Sequence, residues 1–230
     1  MLSHSNSKSR EFWLSDFGSS YMSRNSTTED IDRYYKSKTG VSVSGIVKEF
    51  FGDLDRSLEI LEVGCNIGLK LGMLQKMGFT NLNGVELNET ALKIARKNFP
   101  GINFFHSDIE EFETDKKFDL VFTFGVLIHL NPDLINNIIK KIHSLSSMYI
   151  FGHESYSKEL EEVNYRSYTD VFWKQDFMNK YIENFPTLSI IKQKLITYTD
   201  NNRAVTKTLN ETEFTEKDID LQDSVYLLKK

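Results

Sequence analysis

Cysteine is almost missing from this chain. Its 230 residues hold one, Cys65, so no disulfide framework is possible and a reducing compartment is expected. Basic residues are not in excess either. The formal net charge is -5, which disfavours a general nucleic-acid binder. The opening "MLSHSNSKSREFW" lacks the apolar segment of a signal peptide. No uncharged apolar run is long enough to span a bilayer, so no membrane partner and a cytoplasmic location are expected. The five histidines lack metal-site spacing, and no metal is expected. No internal repeat is visible.

What is present is an ordinary globular composition, 40% hydrophobic and 27% charged, with length enough for one sizeable core. Residues 1–10 read as a polar, frayed tail and residues 11–53 as helical in pieces. From residue 58 the periodicity changes. "SLEILEV", "NLNGVEL", "INFFHSD", "KFDLVFTFG" and "SMYIFGHES" read as strands. Between them "GLKLGMLQKMG", "NETALKIARKNFPG" and "NPDLINNIIKKIHSL" read as helices, with Asn88 and Asn131 as caps and Pro132 at a first helical position. "FWKQDFMNKYIENF" is a further helix candidate. "TLSIIKQKLITYT" and "DSVYLLKK" alternate as an antiparallel pair closing the sheet, and residues 199–219 read as a long surface loop. This alternation predicts an α/β fold: a Rossmann-like, doubly wound, seven-stranded sheet with an N-terminal helical cap. The expected division is a tail and cap over 1–54 and a core over 55–230, with a substrate-side insertion at 155–185.

The chemistry gathers at the predicted strand ends. "LEVGCNIGLKLGML" places Gly64 and Gly68 in a strand-to-helix turn with Asn66 between them. Glycine accepts positive φ and lets a ligand approach the backbone, and asparagine tolerates the left-handed region. The spacing is not the G-x-G-x-x-G of dinucleotide enzymes, which weakens a hydride-transfer reading. Glu86 ends the second strand about 20 residues on, where a carboxylate binds ribose hydroxyls. Asp108 ends the third, placed to face an adenine amino group. Blander readings stand beside these: a packing turn at the glycines, a helix N-terminal acid at Glu86, a cap at Asp108 and a structural histidine at His129. Trp13, Tyr21, Phe172 and Trp173 read more readily as core aromatics, and Cys65 as a packing residue rather than a nucleophile.

Together "LEVGCNIGLKLGML", "NGVELNETAL", "HSDIEEF" and "FDLVFTFGVLIHL" resemble the successive motifs of class I S-adenosylmethionine-dependent methyltransferases, over about residues 55–152. The resemblance implies S-adenosyl-L-methionine as cofactor. It implies Glu62 and Gly64 at the methionine end, Glu86 on the ribose, and Asp108 with Ile109 beside the adenine. The full cofactor set it suggests is Tyr21, Arg24, Glu62, Gly64, Cys65, Asn66, Gly68, Glu86, Leu87, Asp108, Ile109 and Phe124. Asn66 stands where the common pattern has glycine. A narrower resemblance, in "EFWLSDFGSSYMSRN", "GVLIHLNP" and "NYRSYTDVFWKQDF", is to the pseudaminic-acid-biosynthesis-associated methylases, which are tied to bacterial surface glycans. Ser167 and Gln175 depart from that family's late motif, while Tyr165-Arg166 and Asp176-Phe177 keep it.

The activity these resemblances imply is methylation, by O-methyl transfer, of a small bacterial surface-glycan precursor or related anionic metabolite. The partner is then a small-molecule acceptor: a sugar, or a phosphorylated or carboxylated metabolite. A hydroxyl acceptor needs a base, with His129 the first candidate and Glu154 the second. An anionic acceptor needs clamps instead, from Arg24, Tyr165 and Arg166. The alternatives are a non-catalytic adenosyl-ligand-binding protein and a nucleotide-dependent oxidoreductase on the same sheet.

Overall fold

The computed structural model describes residues 7–24, 26–165, 168–198 and 222–230. The chain opens with helices α1 (Ser7–Leu14), α2 (Asp16–Arg24), α3 (Thr28–Thr39) and α4 (Val43–Phe51). Next come β1 (Glu59–Val63), α5 (Leu69–Lys76), β2 (Asn81–Glu86), α6 (Glu89–Asn98), β3 (Asn103–His106) and β4 (Phe118–Phe124). After short 3-10 turns at Leu127–His129 and Pro132–Leu134 follow α7 (Ile135–Leu145) and β5 (Ser146–Tyr156). The last elements are β6 (Glu161–Glu162), β7 (Trp173–Lys174), α8 (Phe177–Asn184), β8 (Ser189–Thr197) and β9 (Gln222–Lys229).

One sheet carries seven strands in the order β3-β2-β1-β4-β5-β9-β8. β1 to β5 run parallel, and β9 lies antiparallel between β5 and β8. The order reverses between β1 and β4, so the turns leaving those two strands diverge and open a crevice at their carboxyl ends. Alternation along the strands feeds two cores. Ile60, Leu120, Phe122 and Phe151 face α3, α4 and α5. Leu61, Val63, Val121 and Ile150 face α7 and α8. α7 supplies Ile135, Ile138, Ile139 and Ile142, the one-sided spacing of an amphipathic helix. The doubly wound, seven-stranded expectation agrees with this arrangement, as does the closing antiparallel pair.

Several expectations need correction. Residues 7–10 are not tail: they form the start of α1, and Ser9 is buried. α4 is not only a cap, because Val43, Ile46, Val47, Phe50 and Phe51 all pack under the sheet. Burying such side chains stabilises by about 1.5–3 kcal/mol each, so the sheet and α4 share one core. The helix expected from residue 172 starts only at Phe177. Trp173 and Lys174 pair instead with Glu162 and Glu161. Asp176 then caps α8 by accepting from Asn179 N–H at 2.9 Å. The loop expected at 199–219 lies outside the described residues. Among the described residues no helix is long and apolar enough to cross a membrane.

Candidate active site

The turn after β1 is built from left-handed backbone: Gly64 (φ 67°), Asn66 (φ 48°) and Gly68 (φ 78°). Packing enforces two of these as well. A Cβ on Gly64 would lie 2.7 Å from a Val126 methyl, and one on Gly68 would lie 3.1 Å from the Phe104 ring. The packing reading of the glycines therefore holds, and it coexists with a cavity reading, because Gly64 and Asn66 line a cavity in the crevice. The space encloses about 970 Å³ with the open solvent at its mouth included. Asn66 Oδ1 is buried with no hydrogen-bond partner among the described residues. An orphaned acceptor costs free energy unless a ligand donor meets it.

Glu86 closes β2 on the cavity. Oε2 accepts from Asn66 N–H at 2.9 Å, and Oε1 accepts from Asn88 N–H at 2.9 Å. Burial raises its pKa, opposed by those backbone donors. An ionised carboxylate has about four acceptor sites, so two hydroxyl donors can still be served. Asn88 accepts from Thr90 and Ala91 N–H at the start of α6, while its Nδ2 donates to Trp13 O at 3.2 Å. That bond ties the N-terminal helices to the rim. On the next strand end, Asp108 Oδ1 accepts from Glu110 N–H at 3.0 Å, and Oδ2 lies 4.0 Å from Arg10. Leu87, Ile109, Phe124, Tyr21 and Trp13 are also in the walls.

Other expected residues fall elsewhere. Glu62 is fully buried behind Lys70, whose Nζ lies 3.3 Å from Oε1. Burial pushes Glu62 up to about 7, against the pull of Lys70. Lys70 is raised in turn, because burial lowers it less than Glu62 and Tyr21 raise it. It is Lys70, not Glu62, that lines the cavity. Cys65 points into the core, where a Cβ on Gly84 would meet its Sγ at 2.6 Å, and Gly68 starts α5 beneath the Phe99 and Phe104 rings. α2 ends at Arg24, whose side chain is not described, and Arg166 lies outside the described residues. Tyr165 packs its ring 5.6 Å from His129 and stacks on Phe172.

The two base candidates separate. His129 lines the cavity with Nδ1 2.8 Å from Val171 O, so Nδ1 carries the proton and Nε2 the lone pair. Burial pushes it down to about 4, only partly opposed by that carbonyl. It is neutral at ordinary pH and a weak proton acceptor. Glu154 is the correction. Its oxygens accept from Val126 N–H at 3.2 and 3.0 Å and from Ile128 N–H at 3.4 Å. Glu154 thus holds the 3-10 turn after β4 and does not line the cavity, although burial raises it to about 7.

Among the lining residues not anticipated are Ser9, Arg10, Trp13, Lys70 and Asn88. Lys70 carried a signal: it is the lone charge in the apolar stretch "VGCNIGLKLGMLQ".

This geometry has known counterparts. A methyltransferase-domain family model matches residues 60–147. The ubiquinone biosynthesis O-methyltransferase of Rickettsia bellii is 36% identical over 101 residues, 42% of each chain. The chain thus spans less than half the length of that relative. Magnesium protoporphyrin IX methyltransferase from a Synechocystis strain, solved with bound S-adenosylhomocysteine, superposes with a TM-score of 0.68 at 13% identity, over 97% of this chain and 99% of that one. The fold is that of the class I methyltransferases. The [4+2]-cyclase SpnF shares it, at a TM-score of 0.62 and 13% identity, over 82% of this chain and 80% of that one. Fold alone therefore leaves the chemistry to the site.

Proposed function

We propose that the protein is an S-adenosylmethionine-dependent O-methyltransferase acting on a small hydroxyl-bearing molecule. The observation that carries this reading is Glu86. It closes the crevice at the switch point with capacity for two hydroxyl donors, next to Asp108 on the neighbouring strand end. The family match over residues 60–147 and the O-methyltransferase relative support the same reaction class.

When bound, S-adenosylmethionine supplies a methyl group already activated on a sulfonium. The chain supplies place and orientation. Glu86 takes the ribose, Asp108 with Ile109 borders the base, and the orphaned Asn66 Oδ1 accepts from the ligand. Lys70 presents an ammonium to the cavity, suited to the carboxylate of the methionine arm. Trp13 and Tyr21, rings 5.3 Å apart, line the space with aromatic faces. Holding acceptor and methyl in line is worth roughly 7–11 kcal/mol when the alignment is good. The narrower acceptor we propose is a surface-glycan precursor. It rests on Tyr165 and the late motif, of which Asp176 and Phe177 are a helix cap and a core residue.

Calorimetric titration with S-adenosylmethionine, S-adenosylhomocysteine and NAD tests the class. Micromolar binding of the first two and none of the third is expected. NAD binding without the others would return the sheet to an oxidoreductase.

A further inference from the structure

The 3-10 turn after β4 fixes His129 at several points. Glu154 holds the turn from behind, accepting from Val126 and Ile128 N–H. The His129 N–H donates to Val126 O at 3.0 Å, and the His129 carbonyl accepts from Ser9 Oγ on α1. Nδ1 donates to Val171 O at 2.8 Å. The rings of Trp13, Phe172 and Tyr165 stand 4.7, 5.2 and 5.6 Å from the imidazole. The N–H, the C=O and Nδ1 of this residue are therefore all committed.

Nε2 remains. A carbonyl only accepts, so Nδ1 keeps its proton and Nε2 keeps a lone pair. Nε2 has no hydrogen-bond partner among the described residues and is not enclosed by protein. The residue lines the cavity and is 8% exposed. The carboxylates that line the same cavity, Glu86 and Asp108, sit at the ends of β2 and β3 and hold backbone N–H groups there. β1 stands between those strands and β4, so His129 lies on the other side of the crevice. The other buried ring nearby, His153, faces Asp223 with Nε2 at 3.0 Å and does not line the cavity.

We propose that His129 is a specificity-determining residue for the methyl acceptor: its Nε2 receives a hydrogen bond from a neutral hydroxyl and disfavours a carboxylate or phosphate as the reacting oxygen. This rests on the methyltransferase reading above. A fixed lone pair is matched by a donor, whereas an anionic oxygen would set lone pair against lone pair. Burial keeps the ring neutral, pushed down to about 4, so it does not become a cation that would welcome an anion. The same weakness as a base makes its part recognition and orientation of the hydroxyl. A ring whose other polar atoms are all held can do this without first being ordered.

Nitrogen NMR of the full chain, labelled at histidine and loaded with S-adenosylhomocysteine, is the first arm. His129 should show a protonated Nδ1 and a bare Nε2. Catechol or methyl glucoside should move the Nε2 resonance toward the hydrogen-bonded range, and benzoate or inorganic phosphate should leave it in place. A proton on Nε2 overturns the proposal, as does a resonance that benzoate or phosphate moves as far, or that neither hydroxyl probe moves. The second arm is His129→Phe, a ring without the lone pair. It should bind the responding hydroxyl probe about tenfold more weakly while its S-adenosylhomocysteine affinity holds. Unchanged probe affinity overturns the proposal, and so does a matching loss of S-adenosylhomocysteine affinity, which would mark a structural role. Wild-type protein that binds no S-adenosylhomocysteine fails the functional reading instead. The probe titration of the ligand-free chain then still decides whether Nε2 prefers a hydroxyl.

Discussion

His129 and His153 are both buried, both near a strand end, and both beside Phe124 or the cavity it lines. They differ in one partner. His129 donates Nδ1–H to the neutral carbonyl of Val171, which orients the ring but gives little to an imidazolium. His153 faces a carboxylate held by two hydroxyls. Burial alone drives a histidine toward the neutral, weakly basic state, as at His129. The two rings share their depth and differ in the charge of the group they face.

The sharpest way to break this contrast is to change each ring alone. His153→Leu leaves the buried Asp223 carboxylate without its ring partner and should cost about 3–5 kcal/mol, while His129→Leu, which strands only the Val171 carbonyl, should cost about 1–3 kcal/mol, both read by thermal unfolding. Equal losses would erase the distinction. Next in size is the support under His153. A Cβ on Gly152 would lie 2.2 Å from the Tyr226 ring, so Gly152→Ala should force β5 and β9 apart. A loss of about 3 kcal/mol is expected, read as a thermal midpoint lower by roughly 5–10 °C. On the His129 side, Trp13→Ala removes a ring 4.7 Å from the imidazole and part of the cavity roof. Calorimetry should find S-adenosylhomocysteine bound about tenfold more weakly, about 1.4 kcal/mol.

A further contrast is in pH dependence. His129 falls from its ordinary 6.5 to about 4, so the stability it allows is complete above 6.5 and is lost as pH falls toward 4. Glu62 and Glu154, raised from 4.5 to about 7, act the other way: their contribution is complete below 4.5 and is lost as pH rises through 7. His129→Gln removes only the first slope. Its thermal midpoint should drop less than that of the wild type on acidification from 6.5 to 4.

The two sides also differ in how far they were legible in sequence. Strand–helix alternation, the glycine turn, Glu86 and Asp108 are local patterns, and they lie along consecutive strand ends at the cavity. The other side depends on partners distant in the chain. Asp223 is separated from His153 by 70 residues, and only the β5–β9 register brings them together. Glu154 looked like a site acid because it follows a strand, yet alternation turns it to the face opposite His153. There it serves backbone N–H groups. α1 was hidden by its polar residues. Ser9 is buried because its hydroxyl donates to His129 O, and Arg10 is held by Glu111 at 2.9 Å. Such bonds leave no hydrophobic period to read.

The most direct test is a titration of S-adenosylhomocysteine into wild-type protein and Glu86→Ala. The account predicts micromolar binding by the wild type and a loss of about 100-fold in the variant, about 2.7 kcal/mol, while both remain folded. Equal affinity in the two proteins would contradict it, because the carboxylate between Asn66 and Asn88 would then serve only the turn it closes.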